Sequence, residues 1–132
     1  MNLYIINSIR TNNFNDEQMM GKIKSLWEEA SRKLVNYQEA VYGVYYDYDS
    51  NYKGDYSLSV AIEENNSASI IYLSNDTKYE VFNVDHTDEQ GIIKTWGQIW
   101  ELEESGLLER AYSYDFEKYY PNGEIEIHIA TK

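Results

Sequence analysis

Residues 15–27 read NDEQMMGKIKSLW and residues 87–100 read TDEQGIIKTWGQIW, the same phrase with a one-residue insertion that brings Trp27 opposite Trp100. Each opens on Asn15 or Thr87 with a Gln three residues later, the spacing of a capping box. Each then carries apolar side chains at helical spacing: Met20, Ile23, Trp27, Ala30 and Leu34 in the first, Ile92, Trp96, Ile99 and Trp100 in the second. Gly106 stands where the second helix would stop. Two amphipathic helices are predicted, and their likeness implies one unit written twice.

The segments around the helices repeat in the same order. LYIINSIR (3–10) alternates as a strand does before the first helix, and KYEVFNV (78–84) does so before the second. VYGVYYDY from Val41 and YSLSVAI from Tyr56 read as strands joined by a turn at Asn51, Lys53 and Gly54. After a polar loop around Asn65, Asn66 and Ser67 comes a short strand, IIYL. At the other end RAYSYDFEKYY reads as an extended aromatic segment, followed by a Pro-Asn-Gly turn. A strand comes after it in which Ile125, Ile127 and Ile129 alternate with Glu124, Glu126 and His128. YDSNYKGDYSLSVA and FEKYYPNGEIEIHIA bring Gly54 opposite Gly123. The expectation is an α+β fold spanning residues 1–132 as one domain, with a repeat over about 1–64 and 68–132. Two pseudo-symmetric βαββ units form one mostly antiparallel sheet, with both helices on one face and a cleft between the halves.

The chain has 132 residues, no Cys, 11 Lys and Arg against 23 Asp and Glu, and a formal net charge of −12. Without Cys there is neither disulfide nor thiolate site, which fits a reducing compartment. No apolar run reaches the roughly 20 residues of a membrane span and the first residues lack a secretion signal, so no membrane partner and a cytoplasmic location are expected. The acidic balance repels phosphate backbones, so no direct nucleic-acid partner is expected. His86 and His128 have no metal-site spacing, and neither a nucleophile elbow nor a phosphate-binding glycine loop is present; neither cofactor nor metal is expected. Fourteen Tyr with three Trp and three Phe supply large apolar bodies with polar tips, as sheets and ligand pockets use.

The stretch YSYDFEKYY (112–120) sets Asp115 and Glu117 among four tyrosines and Phe116. If those rings are buried, Glu117 must be protonated, paired, or waiting for a cation; if they are exposed, it pairs at the surface with Lys118 or Arg110. Trp27 and Trp100 are expected in the core and Trp96 over the cleft.

IKSLWEEA, VYGVYYDYDSNYKGDYSLSVA, YEVFNVDHTDEQGIIKTWGQIW and ERAYSYDFEKYYPNGEIEIHIA together resemble the GyrI-like, or bacterial effector-binding, domain family over nearly the whole chain. The chain looks most similar to the stand-alone type related to integron-associated effector-binding proteins. Asp115, Phe116, Glu117 and Tyr119, with Arg110 before them, carry the most specific part. The resemblance implies two βαββ units with an aromatic pocket between them, in which Glu117 faces lipophilic cations. Tyr45, Tyr79, Phe82, Trp96, Tyr112 and Tyr119 are the expected aromatic lining, with Asp115 a weaker acidic candidate. The family's transcription activators carry a DNA-binding domain ahead of this module, and the present sequence opens at the first strand. The leading expectation is a non-catalytic binder of amphipathic, cationic aromatic small molecules. The alternatives are a hydrolase of electrophilic natural products that uses a pocket glutamate, as some similar proteins do, and a protein-interaction module such as a gyrase modulator, meeting a basic protein partner through the −12 charge.

Overall fold

The computed structural model describes residues 1–65 and 69–132. Along the chain it has β1 (Asn2–Thr11), α1 (Met19–Lys33), β2 (Val41–Tyr46), β3 (Tyr56–Ile62), β4 (Ile70–Tyr72), β5 (Lys78–Val84), α2 (Gly91–Glu104), β6 (Asp115–Tyr119) and β7 (Ile125–Thr131). All seven strands join one curled antiparallel sheet in the order β4-β1-β3-β2-β6-β7-β5. The first half contributes β1-β3-β2, the second β6-β7-β5, and they meet where β2 pairs with β6. β4 is the one strand outside the repeated order and extends the β1 edge. Of the polar loop expected around Asn65, Asn66 and Ser67, the last two lie outside the described residues. No helix among the described residues is long and apolar enough to cross a membrane.

Both helices begin later than the capping boxes predict. Asn15 and Thr87 cap nothing: the N-caps are Gln18 and Gln90, without side-chain cap bonds. A charged acceptor wins the competition instead. Asp16 accepts from the Gln18 amide at 2.9 Å and binds Lys22 at 2.6 Å; Asp88 accepts from the Gln90 amide at 2.9 Å and binds Lys94 at 2.6 Å. A carboxylate that also holds a lysine is a stronger partner for those amides than a neutral amide or hydroxyl. The two helix starts thus share one arrangement of aspartate, amide and lysine. The predicted stop at Gly106 forms: with φ +80° it lets the Leu107 amide reach the Leu102 carbonyl at 2.9 Å and the Gly106 amide reach that of Glu103 at 3.1 Å, closing α2 in a Schellman turn.

Alternation along the strands sorts side chains to two faces. On the helix side, Leu26 and Ala30 of α1 pack over Tyr56, Leu58 and Val60, while Ile99 of α2 packs over Val84, Ile127 and Ile129. The Asn7 side chain, next to a register shift in β1, donates to the Leu26 carbonyl at 2.9 Å and ties α1 to its strand. Among the described residues, no helix covers the opposite face. Leu3, Tyr42, Val44, Ala61, Ile71, Leu73 and Phe116 bury one another there under partly exposed tyrosines. α1 rests on β1 and β3, and α2 on β5; the helices do not approach each other. The sheet between them, β2 and β6, is left as the floor of a cleft.

Candidate functional site

The floor is built by register. On β2 and β6, Val41 lies opposite Tyr119, Gly43 opposite Glu117, and Tyr45 opposite Asp115. These six positions share the helix-facing side. Gly43 carries no side chain at the seam of the two halves, and a Cβ there would stand 3.0 Å from Trp27 Cζ2 and 3.3 Å from Glu117 Oε1. The missing side chain is what lets the carboxylate and the indole meet over the sheet.

Glu117 is 2% exposed. Its Oε2 accepts from Trp96 Nε1 at 2.7 Å and from the Tyr45 hydroxyl at 2.9 Å; its Oε1 accepts from the Tyr119 hydroxyl at 2.7 Å. Every one of these donors is neutral. Burial, followed by the charge of Glu117, pushes the phenols of Tyr45 and Tyr119 well above their ordinary range, so both remain protonated donors. Burial also raises the Glu117 carboxyl above its ordinary value, and the bonds from Trp96, Tyr119 and Tyr45 oppose that shift without cancelling it.

The surface pairing considered for Glu117 does not occur. Arg110 is held by Asp115 at 2.8 Å and by Glu103 at 3.6 Å, and Lys118 lies over the rings of Tyr42 and Tyr120 on the other face. Asp115, fully buried, is spent on structure: besides Arg110 it accepts from the Tyr48 hydroxyl at 2.5 Å and the Ala130 amide at 2.8 Å. Two carboxylates two residues apart thus have opposite circumstances. One is neutralised by a guanidinium, and the other is surrounded by neutral donors.

Above the floor lies a cavity of about 1170 Å3, walled by residues of both helices, β2, β6 and the loops that flank them. Glu117, Tyr45, Trp96 and Tyr119 are brought together on its wall. Tyr112, Tyr79 and Phe82 are not. Tyr112 stands behind Arg110, its ring 4.4 Å from the guanidinium carbon and its hydroxyl on Glu103, in a left-handed conformation with φ 56°. Tyr79 packs edge-on against Phe116 on the helix-free face, and Phe82, three residues on, lies beneath α2. β5 is an edge strand, too far from the β2–β6 seam for either to reach the cleft.

Trp27 and Trp100, expected in the core, line the cavity instead; the fully buried places go to the preceding residues, Leu26 and Ile99. Met20, also assigned to the buried stripe of α1, is 74% exposed at the cavity rim, as are Val35, past the other end of α1, and Ile93 on α2. Phe14, Tyr48, Tyr52, Tyr56 and Arg110 also line the cavity and are not among the lining expected from the sequence. Gly43 was overlooked too, although a glycine inside VYGVYY is a recognisable sign of close approach.

Fold and cleft together place the chain among α+β domains with a ligand-sized cavity between two helices. More narrowly, the chain belongs to the integron-associated effector binding protein family, Cass2, whose family model matches residues 5–131. A solved integron cassette protein from the mobile metagenome of Vibrio cholerae is similar at 28% identity and a TM-score of 0.74, over 98% of this chain and 94% of that one. No curated protein matches.

Proposed function

We propose that the chain is a non-catalytic binding protein for amphipathic, cationic aromatic small molecules, as its resemblance to GyrI-like effector-binding domains implies, with Glu117 as the anchor of the positive charge. The observation that carries this reading is a carboxylate 2% exposed, facing a large aromatic cavity and held only by neutral donors. An unneutralised buried carboxylate is costly to the empty protein, and a cation seated beside it recovers that cost as Coulomb attraction in a poorly screened site. Rings of Trp27, Tyr45, Tyr56, Trp96 and Tyr119 supply flat apolar contact and cation–π attraction, and the exposed rim of Met20, Val35 and Ile93 suits a ligand with an apolar tail. The net charge of −12 draws cations toward the protein and disfavours nucleic acid.

All three tryptophans of the chain line the cavity, so ligand entry should change intrinsic fluorescence. Titration with a cationic aromatic dye and with a neutral analogue of the same shape tests the reading; equal affinities would reject it. The second reading, hydrolysis of an electrophile, rests on the same raised pKa of Glu117, which suits a general acid or base. Steady turnover of a strained electrophile, lost in Glu117→Gln, would favour it over binding alone.

A further inference from the structure

The hydrogen bonds around Glu117 restrict which cations fit. An ionised carboxylate offers about four acceptor directions, two on each oxygen. Oε2 uses both of its own, for Trp96 Nε1 and the Tyr45 hydroxyl. Among the described residues, Oε1 accepts from the Tyr119 hydroxyl alone. The cross-strand neighbour on the same face is Gly43, which has no side chain to donate. One acceptor direction is therefore left, on a side chain that lines the cavity.

We propose that the cavity selects protonated tertiary amines, which carry a single N–H donor and three carbon substituents, over quaternary and primary ammonium ions bearing the same aromatic group. This rests on the reading that Glu117 anchors a cation. A tertiary ammonium fills the one open direction with a charge-assisted bond of about 2.7–2.9 Å and has no donor left over. A quaternary ammonium has no donor, so its methyl groups hold the charge farther from Oε1. A primary ammonium brings three donors to a carboxylate with one open direction, and the remaining two are left to the weaker, neutral phenol oxygens of Tyr45 and Tyr119 or to aromatic walls after losing their water.

Along β2 the floor passes from Val41 on one side of the Gly43–Glu117 pair to Tyr45 on the other. Tyr45 touches the rings of Tyr56 and Trp96, while Val41 lies opposite Tyr119, whose ring stands 5.0 Å from that of Trp27. Aromatic contact for the aryl group is therefore available on both sides of the anchor.

The test uses a primary amine, its N,N-dimethyl form, its N,N,N-trimethyl form and a neutral tert-butyl isostere, all carrying one naphthylmethyl group, at a pH where both amines are protonated. Calorimetric titration should show the dimethyl form binding about tenfold more tightly than the trimethyl or primary forms, with the difference abolished in Glu117→Gln. Tyr119→Phe vacates a second direction on Oε1 and should narrow the gap between primary and tertiary amines. If the trimethyl form binds as tightly as the dimethyl form while both exceed the isostere, the cation reading stands and the donor count is overturned. If no cation exceeds the isostere, the anchoring role of Glu117 fails and the selectivity falls with it.

Discussion

Replacing Glu117 by Gln keeps the shape of the side chain and removes its charge. Gln Oε1 can take over both bonds on the crowded oxygen, from Trp96 and Tyr45, because neither donor needs to reorient. Gln Nε2 then faces Tyr119, whose hydroxyl turns from donor to acceptor. All three contacts survive as neutral hydrogen bonds, each weaker by about 1 kcal/mol than its charged counterpart, roughly 3 kcal/mol in sum. Against this stands the release of a buried carboxylate, whose effective desolvation penalty is several kcal/mol. The empty variant should therefore be as stable as the wild type or more so, by up to a few kcal/mol. Binding should move the other way: a cationic aromatic ligand should lose about 1–3 kcal/mol, roughly 5- to 150-fold in affinity, and its neutral isostere almost nothing. Differential scanning calorimetry reads the first quantity and titration calorimetry the second. A clear fall in the melting temperature, or equal weakening for both ligands, would show that Glu117 is a structural residue and that no cation is expected beside it.

Gly43→Ala should destabilise the fold by about 1–3 kcal/mol in urea unfolding followed by circular dichroism, because the new methyl meets Trp27 Cζ2 at 3.0 Å and Glu117 Oε1 at 3.3 Å; an unchanged midpoint would mean that the indole shifts freely. Asp115→Asn leaves the Arg110 guanidinium buried with Glu103 at 3.6 Å as its remaining ion-pair partner, and should cost about 3–5 kcal/mol. Adding Arg110→Met should recover part of that loss, and strictly additive losses would argue that the pair is not coupled. The pH dependence follows from the raised Glu117 pKa. The folded state holds this proton at a pH where the unfolded state has released it, so wild-type stability relative to Glu117→Gln should fall as pH rises from the ordinary carboxyl value of 4.5 through the raised folded value, and then level off. Cation affinity should rise over the same interval with release of a proton, which titration in buffers of different ionisation enthalpy detects; a pH-independent affinity would count against an ionised anchor.

The order of elements was written in the sequence because it depends on short-range chemistry. The Ile125, Ile127 and Ile129 alternation, the glycine stop at Gly106 and the Pro-Asn-Gly turn at Gly123 each act within a few residues, and each appears in the structure. The doubling of the helix phrase was legible for the same reason. Its cap is not legible in this way, since Asn15 and Thr87 satisfy the pattern while Asp16 and Asp88, paired with lysines six residues on, win the amides. A carboxylate embedded in aromatics at YSYDFEKYY was equally plain, but its state was not.

The tertiary structure decided which rings that carboxylate would meet. Glu117 is bonded by Tyr45, which is 72 positions away, and by Trp96, which is 21 away, and only the β2–β6 register together with the position of α2 brings them to one point. The same register gave Asp115 to Arg110 and left Glu117 without a cation. Placement in the sheet removed Tyr79 and Phe82 from the cleft, since aromatic side chains on edge and central strands look alike in a single chain of letters. Trp27 and Trp100 show the same limit on helices. An indole on an apolar stripe is drawn out of water in either case, and whether it meets the core or an open cavity depends on how far apart the two helices stand.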